Sequence, residues 1–334
     1  MVGAGPLGAG VAQLCLQSGL EVLLFDDTEG ALTEAESRIL QGLHRAEQPS
    51  MFGLLRKSTR LSRLEECDFA VECAGETPQA KQDMLSRMDA RLTPGRGLAV
   101  QTEALPVGMV SRAVENPDRV VGVHFFLPVP VAPMVEVIRG AHSTPEVVQT
   151  ALGLAGRFGK AAVLCGDAPG FVVNRLARPY YRAALRVVEE GKAGPSAVDA
   201  ALRAKGMRNG PFEMLDAFGI DEDLALASLV YELLGRPERL KPAPLQEALV
   251  ARGFCGRRSG GGFYLYGNGR PAGENPAVQD LMAKTRAAEP GIADLVIGET
   301  LREARALFSE GIASREDIDK ALRLALFWPK GAFE

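Results

Sequence analysis

The sequence predicts an α/β unit with a mostly parallel, doubly wound sheet, followed by an all-α unit that carries an internal duplication. Three observations predict it. Up to about residue 165, short apolar runs alternate with helix-length stretches, the pattern of strands joined by crossover helices. From Gly170 onward the strand signal nearly vanishes and helical periodicity takes over. Within that second part, residues 184–213 are echoed by 303–334: Gly191 matches Gly311, Asp199 matches Asp319, and Phe212-Glu213 matches Phe333-Glu334. A chain of 334 residues exceeds what one core usually supports, which fits this division. The expected domains are 1–167, 168–290 and a partial second helical copy at 291–334, with the main break at 166–170, where Asp167, Pro169 and two glycines interrupt periodicity. Two such helical copies can pack on each other within one chain. A monomer built as an internal pseudo-dimer is therefore one expectation, and a homodimer the other.

The first element is a glycine turn. The chain opens Met1-Val2-Gly3-Ala4-Gly5-Pro6-Leu7-Gly8, in which Gly3, Gly5 and Gly8, with Pro6 and Leu7 between them, form G-x-G-x-x-G. Such a turn takes a strand into a helix and brings bare backbone and the free N–H groups of the helix start against a pyrophosphate. The helical run 7–18 and the Gly19 stop follow. Asp26 then lies at the end of the apolar run Val22–Phe25, placed to accept hydrogen bonds from an adenosine ribose. A 2′-phosphate there would meet Asp26 and Asp27 together, so the expected cofactor is NAD rather than NADP and the sheet is Rossmann-like. Only Met1 and Val2 precede Gly3, whereas a buried strand runs to about five residues. Either the first strand is stunted, or the N-terminus has lost residues that a longer product would carry.

Further strands are expected at 69–73, 98–100, 120–123, 134–138 and 161–164, and helices at 31–45, 77–88 and Pro145–Arg157. The stretch 53–65 is polar and basic enough to be a surface hairpin of helices or a loop. In the second part the helical stretches are 172–190, 196–204, 224–234, 245–251, 278–288 and 293–309, with a looser Gly/Asn/Pro-rich break at 266–276. The run Arg257-Arg258-Ser259-Gly260-Gly261-Gly262 resembles a phosphate cradle but lacks the Walker spacing, and structural use is expected of it.

Bulk composition excludes several classes. Hydrophobic residues at 46% and charged residues at 24% suit a globular enzyme. A formal net charge of −4 gives no reason to expect nucleic acid as a partner. The five cysteines are scattered and without C-x-x-C, which argues against a disulfide scaffold or a zinc site and suits a reducing, cytoplasmic setting. The apolar N-terminus lacks a basic flank and is broken by glycines, so it does not read as a signal peptide. No uninterrupted apolar run approaches membrane-spanning length.

His124 sits just after an apolar strand, and Glu136 stands twelve residues on, alone among Met134, Val135, Val137 and Ile138. Prolines at 128, 130 and 133 keep the connection irregular, so two strands can lie side by side with His124 facing Glu136. A carboxylate in such apolar company needs a partner, and an imidazole N–H is the natural one. The pair would hold the other ring nitrogen ready as a proton acceptor.

The chain resembles the 3-hydroxyacyl-CoA dehydrogenase family across nearly its whole length. The similar stretches are 3–10, 71–76 with Lys81, 124–138, 169–175, 210–213 and 256–264, in the family's order and spacing. The duplication is similar to that of its larger members. The resemblance implies oxidation of an (S)-3-hydroxyacyl-CoA substrate to 3-oxoacyl-CoA with NAD. It gives Asp26 the adenosine ribose, and places Glu76 and Lys81 beside the nicotinamide half. His124 becomes the general base that Glu136 orients, and Asn174 a hydrogen-bond donor near the reacting carbonyl. Two departures stand out. Glu103 occupies the place of the family's substrate-contacting serine, and Leu127 that of the asparagine in His-Phe-Phe-Asn-Pro. Serine can donate to a developing ketone oxygen, while an ionised glutamate only accepts and repels an oxyanion. A dehydrogenase altered for another hydroxy substrate, or a catalytically impaired NAD-binding relic, are the alternatives that Glu103 raises.

Overall fold

The computed structural model describes residues 1–75, 77–282 and 290–334. These form two compact units, Met1–Phe171 with Ile312–Asp317, and Val172–Gly311 with Ile318–Glu334.

In the first unit, α1 (Pro6–Gln17) starts at the glycine turn with proline in its first turn, where a missing N–H costs nothing. Gly19, at φ +70°, stops it. The wholly buried strand β1 (Val22–Phe25) follows, then α2 (Glu29–Arg45), capped by the Thr28 hydroxyl, which accepts from the Ala31 N–H. The expectation for 53–65 needs correction. It contains a strand, β2 (Leu55–Ser58), parallel to β1 and flanked by the short turns Pro49–Leu54 and Leu61–Glu66. Its residues are only half-buried, and Arg56 and Lys57 pair with Glu66 and Glu36. An edge strand tolerates such polarity, and the polarity hid it.

The chain continues as β3 (Phe69–Glu72), α3 (Pro78–Asp89), β4 (Gly97–Gln101), α4 (Val107–Val110), β5 (Val120–Phe125), β6 (Met134–Arg139), α5 (Pro145–Arg157) and β7 (Ala161–Gly166). The strands β3 to β7 lie in sequence order, all parallel to their neighbours except that β6 runs antiparallel to β5. Among the described residues, Val2 alone joins the β1–β2 pair to this sheet, bridging in parallel to both Phe25 and Glu72. Its N–H donates to Val71 O and its carbonyl accepts from the Cys73 N–H. The buried Met1 amino group donates to Leu23 O at 2.7 Å. The first strand is thus present as two residues. Ile312–Asp317 belongs here because Ile312 O accepts from the Gly166 N–H and Ala313 bridges Cys165.

The second unit holds α6 (Val173–Glu189), α7 (Pro195–Ala204), α8 (Pro211–Phe218), α9 (Ile220–Leu233) and α10 (Pro244–Ala251). A hairpin of β8 (Tyr264–Gly267) and β9 (Arg270–Glu274) follows, then α11 (Pro276–Leu281), α12 (Ile292–Ser309) and most of α13 (Arg315–Leu324). The helices α8 and α13 and the hairpin were not expected. The hairpin's signal was there to read. Asn268 and Gly269, both at positive φ, form its two-residue turn, the Asn-Gly pair such turns favour. Of the helix expected at 278–288, residues 283–288 lie outside the described residues.

The duplication is geometric as well as textual. Asp199 accepts from the N–H groups of Phe212 and Glu213, as Asp319 does from those of Ala332 and Phe333. Glu213 accepts from the Gly210 N–H and Glu334 from the Gly331 N–H, both at 3.0 Å. Gly210 and Gly331 are glycines for one reason, since a Cβ at either would sit 2.1 Å from the aspartate carboxyl carbon. The long helices α6 and α12 are joined by Arg175, buried and paired with Glu303 and Glu310.

The glycine cluster after Arg258 is structural, as expected. It brings the N–H groups of Phe263 and Tyr264 to Asp216 at 2.8 and 2.9 Å, and a Cβ at Gly262 would meet that carboxylate at 2.0 Å. Among the described residues, no helix is long and apolar enough to cross a membrane, and no group of His, Cys, Asp or Glu could hold a metal ion.

Candidate active site

Strands β1 to β5 and the Val2 bridge all run the same way, so their carboxyl ends share one edge of the sheet. In a doubly wound sheet that edge is where ligands bind. The chain places the Gly3–Gly8 turn, Asp26, the loop after Glu72, Glu103 and His124 along it.

The turn fits a dinucleotide. Gly3 has φ +100°, and a Cβ there would lie 2.8 Å from the Ala74 nitrogen. A Cβ at Gly8 would lie 2.0 Å from Gly3 O, so the helix can start this tightly only with glycine. A Cβ at Gly5 would meet nothing within 4 Å, and no side chain caps α1, which leaves its first amides to an anion. Asp26 Oδ2 accepts from the Ala4 N–H at 2.9 Å while Oδ1 accepts from the Thr28 N–H and hydroxyl. The same carboxylate that would meet the ribose therefore also braces the turn. Oδ2 keeps a further lone pair for a ribose hydroxyl.

Glu72 was missed in the sequence, although a lone glutamate in the apolar run 69–73 could have flagged it. Fully buried, it accepts from the N–H groups of Ala74 and Gly75 through Oε1, at 2.7 and 2.6 Å. Its Oε2 accepts from Lys81 Nζ at 2.8 Å. Lys81, expected to border the nicotinamide, is thus a buried ion-pair partner that fixes the loop lying against Gly3. Glu76 lies outside the described residues.

His124 and Glu136 are directly paired residues of the antiparallel strands β5 and β6. Nδ1 lies 2.6 Å from Glu136 Oε2, with the histidine 4% and the glutamate 0% exposed. The Phe126 ring packs on the imidazole at 4.1 Å between centroids, and Phe171 lies at 6.3 Å. Glu136 fixes Nδ1 as the protonated nitrogen, which leaves Nε2 as the acceptor. Beyond His124 the loop is tied back to the dinucleotide helix, where a Cβ on Gly10 would sit 2.9 Å from Val129 Cβ. Leu127 is 61% exposed on this loop.

The exposed Glu103 follows β4, beside the histidine strand, in a loop held from several sides. Thr102 N–H donates to Val123 O, the Leu105 N–H donates to Thr102 Oγ1, and Gly170 N–H donates to Ala104 O. Asp167 accepts from the Val107 and Gly108 N–H groups at 2.6 and 2.7 Å; burial pushes its pKa up, against the pull of those two donors. Gln101 Oε1 accepts from the buried Phe125 N–H at 2.8 Å, locking β4 to the residue after His124. Neither Gln101 nor Asp167 carried a sequence signal, because their partners are backbone amides distant in the chain. Asn174 lies buried in the first turn of α6, in the second unit.

Comparison with known proteins gives the family. Residues 1–168 match the profile of the 3-hydroxyacyl-CoA dehydrogenase NAD binding domain, and 170–266 that of the C-terminal domain of the same enzymes. The chain belongs to the 3-hydroxyacyl-CoA dehydrogenase family. It is 33% identical to a probable 3-hydroxybutyryl-CoA dehydrogenase of Deinococcus radiodurans, over 80% of this chain and 99% of that protein. It is 35% identical to the 3-hydroxyadipyl-CoA dehydrogenase of Escherichia coli over 79% of this chain, but spans only 58% of that longer protein. A crystal structure of 3-hydroxybutyryl-CoA dehydrogenase from Escherichia coli superposes with a TM-score of 0.88 at 28% identity, covering 99% of this chain and 89% of that one. The family's cofactor is NAD, and this member is an NAD-dependent oxidoreductase.

Proposed function

We propose that the chain oxidises (S)-3-hydroxyacyl-CoA to 3-oxoacyl-CoA, with His124 as general base. The observation that carries this is the 2.6 Å contact between His124 Nδ1 and the buried Glu136, on the sheet edge that holds the glycine turn and Asp26. His124 Nε2 takes the proton of the 3-hydroxyl, and Glu136 holds the ring and balances the positive charge the imidazole gains. NAD, when bound, accepts the hydride. The Gly3–Gly8 amides hold the pyrophosphate, Asp26 the adenosine ribose, and the loop braced by Glu72 and Lys81 supports the turn. Asn174 donates a hydrogen bond to the carbonyl that forms. The Arg175 ion pairs that join α6 to α12 support a monomer built as an internal pseudo-dimer, with a homodimer the other reading.

Glu103 supports a second reading. An exposed carboxylate held beside the histidine strand suits a substrate that presents a hydrogen-bond donor rather than a plain acyl group. Oxidation of NADH by the purified chain with acetoacetyl-CoA tests the first reading. Turnover with that thioester supports it; NADH consumption only with other oxo substrates moves the assignment to the second. Calorimetry that finds no NAD binding defeats both.

A further inference from the structure

The strand that carries His124 outruns its neighbour. β4 pairs in parallel with β5 as far as Gln101 opposite Val123, and its chain then turns away. Thr102 makes the turn, its Oγ1 accepting from the Leu105 N–H at 3.0 Å. β5 runs on through His124 to Phe125, beyond the last β4 residue in the ladder. The side chain of Gln101 reaches after it. Its Oε1 accepts from the Phe125 N–H at 2.8 Å, and Gln101 and Phe125 are 5% and 7% exposed. A buried N–H that no carbonyl of the backbone meets needs such an acceptor. On the other side of His124, the Val123 carbonyl accepts from the Thr102 N–H at 3.0 Å. Both peptide units that flank His124 are therefore held by the Gln101-Thr102 dipeptide. Strand alternation turns the N–H and carbonyl of His124 itself the other way, toward β6 and Glu136.

We propose that Gln101 is a positioning residue for His124, acting through the His124–Phe125 peptide and touching neither substrate nor cofactor. The proposal rests on the reading of His124 as general base. Glu136 holds the imidazole at Nδ1, which fixes the ring against β6. Gln101 fixes the backbone beneath that ring against β4, the strand that leads into Glu103. The imidazole needs both anchors, because a single hydrogen bond leaves it able to pivot. Without Oε1 the peptide after His124 turns to find another acceptor, and Nε2 swings about the Glu136 contact. A displacement of about 1 Å at a reacting atom costs roughly 10²-fold in rate. An amide also suits the place chemically, since it accepts without bringing a second charge to the buried His124–Glu136 pair.

The test compares Gln101→Leu and Gln101→Met, which keep bulk but lack a strong acceptor, with Gln101→Glu, which keeps an acceptor oxygen in either protonation state. Three readouts are taken with NAD present: hydrogen exchange of the Phe125 amide, the NMR signal of the His124 Nδ1 proton, and kcat and KM for 3-hydroxybutyryl-CoA. In the leucine and methionine forms, Phe125 exchange is expected to quicken about tenfold or more, and the Nδ1 proton signal to shift or broaden. Their kcat should fall about 10²-fold with KM within about twofold, since only the transition state depends on the aim of Nε2. Gln101→Glu should restore wild-type exchange and the wild-type ring signal. A folded leucine or methionine form with wild-type ring signal and kcat overturns the proposal. So do kcat and KM that change together, a glutamate form no better than leucine, or failure of both apolar forms to fold. A chain that oxidises no thioester at all defeats the dehydrogenase reading, and the amide and ring signals then decide this proposal by themselves.

Discussion

Replacing Glu136 with glutamine isolates the charge that the proposed mechanism needs. The substitution keeps shape and a hydrogen-bond acceptor but removes the negative charge 2.6 Å from His124 Nδ1. When the imidazole takes the hydroxyl proton, it becomes a cation beside that carboxylate. With charge centres about 4 Å apart and an effective dielectric near 20, the attraction is roughly 4 kcal/mol. Losing it raises the barrier by that order, a fall in kcat of about 10³-fold. Since the charge appears only as the proton moves, kcat should carry the loss and KM for the thioester should change little. Steady-state rates of NADH formation from 3-hydroxybutyryl-CoA measure both constants, and NAD titration calorimetry confirms that the cofactor site is intact. A Glu136→Gln chain with wild-type kcat would refute the reasoning, because the buried pair would then be structural only.

His124→Gln is expected to lower kcat by about 10²- to 10⁴-fold while the thermal midpoint stays near wild type, checked by the same assay with calorimetry. For Glu103→Ser, turnover on acyl-CoA thioesters should rise, since a donor replaces an obligate acceptor; a further loss would assign the glutamate a role in binding. Gly8→Ala places a methyl 2.0 Å from Gly3 O, so NAD affinity should fall at least about tenfold by titration calorimetry. The Asp199 carboxyl is pushed up to about 7, chiefly by burial, from an ordinary value of 3.8. A folded-state pKa above the unfolded one means stability that is present at low pH and declines as pH rises from about 4 to 7. Tm against pH should therefore slope downward over that window in the wild type relative to Asp199→Asn, and parallel curves would contradict it.

Periodicity and glycine spacing made much of this protein legible. Most strands and helices of the first unit fall within a few residues of expectation, because buried parallel strands are written as apolar runs that few other structures allow. His124 and Glu136 could be paired from sequence because two short strands joined by a proline-rich link have little choice but adjacency. Elements whose evidence lies elsewhere in the chain were illegible. The strand β2 is polar because its sheet edge is open, and α8 is bracketed by Gly210-Pro211 and Gly219, residues that read as breaks.

By itself, then, the sequence determined the order of most elements, the glycine turn with Asp26, and the internal repeat that matches Asp199 with Asp319. Local steric rules and burial patterns are enough for those. Only the tertiary structure decided that Glu72 takes Lys81, and that Asp167 and Gln101 lock the loops around Glu103 and His124. Each depends on a partner about ten to sixty residues away, brought within hydrogen-bond reach by packing. No pattern of neighbouring residues encodes that distance.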